Sequence, residues 1–161
     1  MRAPSLIARF GLRGLMIAVL CLAGATNAAA QLAPSCTISA VSVAFGNYNV
    51  FTATPVDSAG SVTFRCNAAA ANISITLGKG ASSTFAPRTM TKVGEALDYN
   101  LYLDAARTSV WGDGTGGTSS YTNANPPNNQ NVTLPIYGRI PASQDVSAGV
   151  YSDTVLATIN F

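Results

Sequence analysis

Histidine is missing from this chain of 161 residues, and Glu95 is its only glutamate. Without an imidazole, neither a Ser-His-Asp nor a Cys-His nucleophilic arrangement can be assembled. The aspartates do not repair the deficit, because they are scattered over separate turns. Asp98 and Asp104 share the outer face of one expected strand, but six residues of strand span about 20 Å. That is too far for two carboxylates to flank a glycosidic bond. The acids read as solvated surface charge, and the chain reads as a protein other than an enzyme, without cofactor or metal.

Long apolar runs are scarce as well. Leu15-Met-Ile-Ala-Val-Leu-Cys-Leu-Ala23 is apolar but too short for a membrane anchor. Arg2, Arg9 and Arg13 precede it, and Ala28-Ala29-Ala30 offers a small-residue cleavage site. This pattern predicts a secretory signal peptide over residues 1–30, with cleavage after Ala25 as a minor alternative. Cys21 follows Leu20 rather than a small residue, which argues against lipidation. Cleavage after Ala30 leaves 131 residues, 31–161, the size of one ordinary domain. Three of the nine basic residues go with the leader, leaving six against seven acids, so the formal +2 belongs to the leader. No basic patch remains for nucleic acid or anionic lipid, and no later segment is apolar enough to serve as a direct membrane anchor.

Two cysteines, Cys36 and Cys66, survive processing. In an exported chain an isolated pair is most simply a disulfide. A reactive or metal-binding pair is the alternative, and no histidine is present to support it.

What the chain does hold is alternation. No segment has a convincing helical period. Residues 36–43, 61–66, 72–77, 96–104, 131–140 and 150–161 read as strands, separated by Gly, Pro, Asn and Ser. Val62, Phe64 and Cys66 share a face, as do Ile73, Ile75 and Leu77, and Leu97, Tyr99, Leu101 and Leu103. Pro135 suggests that its strand is an edge or carries a bulge. In the last segment Tyr151, Val155, Ala157, Ile159 and Phe161 share one parity, with Leu156 the exception, and the apolar side chains have no later strand to pair with. The pattern predicts an all-β, antiparallel, Ig-like β-sandwich. Residues 78–87 and 112–131 are long polar connections. Gly112-Asp-Gly-Thr-Gly-Gly117 formally matches a dinucleotide fingerprint, but no helix follows it, and one aspartate is a weak calcium set. It reads as a tight glycine turn pinned by Trp111.

Five ordered motifs carry a resemblance. Cys36-Thr-Ile-Ser-Ala40, Phe45-Gly46, Asp104-Ala-Ala-Arg-Thr-Ser-Val-Trp-Gly-Asp-Gly-Thr-Gly-Gly-Thr118, Tyr137-Gly-Arg-Ile-Pro141 and Ala148-Gly-Val-Tyr-Ser-Asp-Thr-Val155 resemble the spore coat protein U domain family, which includes subunits of archaic chaperone–usher pili. The resemblance covers residues 36–161. It implies a sandwich lacking its last strand, whose groove is filled first by a periplasmic chaperone and then by a neighbouring pilus subunit, with assembly at an outer-membrane usher. It further implies export through the periplasm to a surface pilus serving adhesion or biofilm formation. Gly149 and Phe161 match the glycine-to-aromatic spacing of pilin final strands, and Val155, Ala157 and Ile159 complete the expected groove edge. Cys36 and Cys66 would hold the first strand to the second. One departure stands out: Gln31-Leu-Ala-Pro-Ser35 extends only about 16 Å, so the chain is expected to accept a strand but donate one poorly, as a tip or other terminal subunit does. Two further expectations compete: a tip adhesin contacting a sugar or surface through Trp111 and Tyr121 on the long loops, and a soluble secreted or coat-associated sandwich that needs no partner.

Overall fold

The computed structural model describes residues 32–161. The leader expected at residues 1–30 lies outside the described residues. Eight strands form: β1 (Cys36–Val41), β2 (Val56–Cys66), β3 (Ile73–Leu77), β4 (Arg88–Lys92), β5 (Glu95–Tyr102), β6 (Tyr121–Asn123), β7 (Val132–Ile140) and β8 (Ala157–Asn160). All ladders between them are antiparallel, in a five-stranded sheet of order β1-β2-β7-β5-β4 and a three-stranded sheet of order β6-β3-β8. The fold is therefore all-β, an incomplete Ig-like sandwich. Among the described residues no helix is long and apolar enough to cross a membrane.

Alternation decides which faces meet. Val62, Phe64 and Cys66 of β2 are buried, as are Ile73, Ile75 and Leu77 of β3 and Leu97, Tyr99 and Leu101 of β5. Cys36 stands opposite Cys66 in the β1–β2 register, and the two form a disulfide. The longest ladder joins β2 to β7, from Val56 opposite Ile140 to Phe64 opposite Val132. This makes β7 central, between β2 and β5, and corrects the expectation that Pro135 marks an edge strand. The proline is tolerated because β5 pairs only with Tyr137, Gly138 and Arg139, so β7 has one partner at Pro135.

Two buried side chains tie the sheets together. Trp111 is fully buried, and its indole N–H donates to the Ile75 carbonyl at 2.9 Å. Arg88 is equally buried, without a carboxylate partner. Its guanidinium donates to the carbonyls of Gly78 (2.9 Å) and Trp111 (2.6 Å) and to Asn100 Oδ1 (2.7 Å). Burial pulls this guanidinium below its ordinary pKa, while Tyr99 and Asp153 oppose the shift.

The final segment departs from expectation. Only Ala157–Asn160 forms a ladder, on β3, with Leu77 opposite Ala157 and Ser74 opposite Asn160. Further upstream, Ser152 exchanges backbone hydrogen bonds with Thr91 of β4, at 2.9 and 3.2 Å. The chain thus leaves β4 of one sheet and joins β3 of the other, and the residues between belong to neither ladder. Alternate burial nevertheless runs unbroken from Tyr151 to Asn160, because an extended chain lying on a core needs no hydrogen-bonded neighbour to have an inside and an outside.

Candidate functional site

The second sheet is too short to cover the first. Over Gly60 of β2 and Gly138 of β7 the inner face is covered instead by Val43 and Phe45, from a stretch outside the named strands. A Cβ on Gly138 would meet Val43 Cγ1 at 2.6 Å and Phe45 Cζ at 2.7 Å, so both side chains lie directly on the bare backbone. Phe45 also packs edge-on to Tyr99, with ring centroids 5.9 Å apart.

Beside this covering lies a groove of about 820 Å³. Residues 40–50 form one wall and residues 146–153, with Val155 and Ala157, form the other. Its floor is the core itself: Val62, Leu77, Met90, Leu97, Tyr99, Leu101, Ile136 and Ile140. Asp153 is the only ionisable carboxylate in the lining. It accepts from Tyr99 Oη at 2.6 Å and from the Ala81 N–H at 2.8 Å. Burial, reinforced by this carboxylate, pushes the Tyr99 phenol well above its ordinary pKa. Tyr99 is therefore a neutral donor that anchors the wall to β5.

Nearer the β4–β5 turn, the second wall is attached by side chains. Gln144 imitates a strand partner: its Oε1 accepts from the Asp98 N–H at 2.7 Å and its Nε2 donates to the Asp98 carbonyl at 2.9 Å. Glu95 accepts from the Tyr151 hydroxyl, from the Ser147 N–H at 2.9 Å and from Ser147 Oγ at 3.0 Å. These bonds, led by that of Tyr151, bring the Glu95 carboxyl down to about 2. Lys92 Nζ donates to the Ala148 carbonyl at 2.8 Å and lies 5.6 Å from the centre of the Tyr151 ring. Tyr48 links the walls, donating to the Pro141 carbonyl at 3.1 Å and accepting from the Gln144 N–H at 2.8 Å.

Of the expected groove residues, Gly149, Val155 and Ala157 line the groove. Ile159 does not; it sits half-buried against the core from β8. Phe161 is 51% exposed beyond that strand. The expected loop contacts fare differently. Full burial takes Trp111 away from any surface ligand, which corrects that assignment, and Tyr121 packs on Phe64 with ring centroids 6.0 Å apart. The Gly112–Gly117 stretch is a tight turn, with Gly114, Gly116 and Gly117 at positive φ and Asp113 accepting from Thr115. Sequence reasoning missed Tyr48, Lys92, Glu95 and Gln144. Only the solitary status of Glu95 could have singled it out.

Three comparisons bear on this geometry. The sequence profile of the Spore Coat Protein U domain matches residues 22–158. Protein U of Myxococcus xanthus is 35% identical over 130 residues, covering 73% of this chain and 70% of that protein. Among solved structures, a chain of the chaperone–tip adhesion subunit pre-assembly complex from archaic chaperone–usher Csu pili of Acinetobacter baumannii superposes with a TM-score of 0.56 at 26% identity. That match covers 81% of this chain but only 40% of the other chain's length.

Proposed function

Because the chain belongs to the Spore Coat Protein U domain family, we propose that it is an exported structural subunit of a chaperone–usher pilus, completed by a β-strand from a partner. The observation that carries this reading is the groove of about 820 Å³, floored by core residues and bordered along residues 42–50 and 146–151 by backbone outside the ladders. A strand laid there would pair through its backbone and place alternate side chains on the floor. The partners in this reading are a periplasmic chaperone, an outer-membrane usher and neighbouring subunits, and the localisation is the periplasm in transit and then the cell surface. The likeness to a chain of a chaperone–subunit complex supports the chaperone in particular. Adhesion or biofilm formation is the activity such a fibre would serve. Of the groove-edge residues, Gly149, Val155 and Ala157 are assigned to the strand contact and Ile159 and Phe161 to the wall that supports it.

The test is size-exclusion chromatography of the chain exported to a bacterial periplasm, alone and with its candidate chaperone co-expressed. The expected result is aggregation or degradation alone and a one-to-one complex with the chaperone. A stable, reversible monomer on its own would overturn the reading in favour of a self-sufficient secreted sandwich. A strand-accepting subunit that donates poorly belongs at a tip or other terminus, and its repetition along the shaft of a native pilus would refute that placement.

A further inference from the structure

The two halves of the second groove wall are held in different ways. From Ser152 onward the attachment involves backbone: the Thr91–Ser152 exchange, the Gly78 N–H donating to the Leu156 carbonyl at 2.8 Å, and the β3–β8 ladder. Residues 146–151 have none of these. They are fastened by Glu95 and Lys92 at the tip of the β4–β5 hairpin, through Ser147, Ala148 and Tyr151. Gly149 lets Lys92 lie against this stretch, since a Cβ there would meet Lys92 Cδ at 2.6 Å. Val150 within it is 87% exposed, so little apolar contact holds its outer side down.

We propose that residues 146–151 are a flap, hinged at Ser152 and latched by Glu95 and Lys92, which controls entry of a strand into the groove. This rests on the reading of the groove as a strand acceptor. An entering strand needs the floor exposed and the wall displaced, and the flap can move without breaking a ladder hydrogen bond. The Glu95 latch is made of three acceptor contacts on one carboxylate, so altering a single side chain loosens the flap, which Lys92 and the packing of Val146 and Tyr151 on the core still restrain, while the Ser152 hinge holds. The latch therefore sets how fast the groove is filled and emptied, and the β8 wall sets what the strand pairs with.

The experiment compares the native oxidised chain, Glu95→Gln and Tyr151→Phe, each purified as its one-to-one complex with the co-expressed chaperone. Tyr151→Phe keeps the ring and removes only the hydroxyl. The rate at which fluorescently labelled free chaperone replaces the bound one follows the emptying and filling of the groove, and amide hydrogen exchange of the complexes is followed by mass spectrometry. Both variants are expected to exchange about tenfold faster in residues 146–151, as local opening without global unfolding predicts, and to swap chaperone several-fold faster. Protection in β2, β3 and β8 should be unchanged. Faster flap exchange with an unaltered swap rate would overturn the gate while leaving the groove intact. Unaltered exchange, or loss of protection throughout, would overturn the latch. Failure of all three chains to form the complex would overturn the groove reading and the gate with it.

Discussion

Glu95 shows how a single side chain can matter without being buried. Its carboxylate is brought down to about 2 from an ordinary 4.5 by hydrogen bonds, first from Tyr151 and then from Ser147. A carboxyl depressed in the folded state stabilises above its unfolded pKa and loses that contribution as pH falls through its folded value. The advantage of the native chain over Glu95→Gln should therefore be full above about pH 5 and vanish near pH 2. Thermal melts of both proteins across that range check it, and a gap independent of pH would show that the carboxylate charge is irrelevant. Gly138 acts by absence. Gly138→Ala would drive a methyl into Val43 and Phe45, which lie over its backbone. Overpacking of this kind costs about 1–3 kcal/mol. Urea unfolding should show it, and the loss should shrink in Gly138→Ala combined with Phe45→Leu, which reopens the space.

Elements were legible where alternation and pairing coincide. β3 and β5 could be read directly, because Ile73, Ile75 and Leu77, like Leu97, Tyr99 and Leu101, keep one parity and are buried together. β4 was hidden. Its inward residues are Arg88 and Met90, and a buried arginine satisfied by carbonyls looks in sequence like an exposed one. β6 is only three residues long and lies inside the polar connection 112–131. The groove was half legible: its apolar edge followed from parity, but the attachment of residues 141–153, the Thr91–Ser152 backbone exchange apart, depends on side chains distant in the chain. Asp153 is the clearest case, joining the 80–81 turn, β5 and the last segment through Ala81 and Tyr99. Asp153→Ala strands the buried Tyr99 hydroxyl and should cost about 2–3 kcal/mol. A loss no larger than that of Asp153→Ala in a Tyr99→Phe background would mean that the two groups are not coupled, which a double-mutant cycle measures directly.

For the whole molecule, the two groove walls have separate supports. The disulfide spans 30 residues of sequence, and the loop it closes contains β1, the wall formed by residues 42–50 and β2. The opposite wall hangs on the β4–β5 hairpin and β3, outside that loop. Loop-closure entropy assigns the crosslink about 3–4 kcal/mol. Cys36→Ser/Cys66→Ser should lose that much in urea unfolding when both proteins carry the same excess of chaperone, because the binding contribution then cancels. Cancellation requires equal affinity, and that condition reports on the groove. If the crosslink only limits the unfolded chain, the loss stays constant as chaperone is raised. If it also holds residues 42–50 in place, the variant binds more weakly and the loss moves from its chaperone-free value to a larger plateau. A constant loss below about 1 kcal/mol would contradict the loop-closure account, and a rising one would make Cys36 and Cys66 part of the strand-binding site.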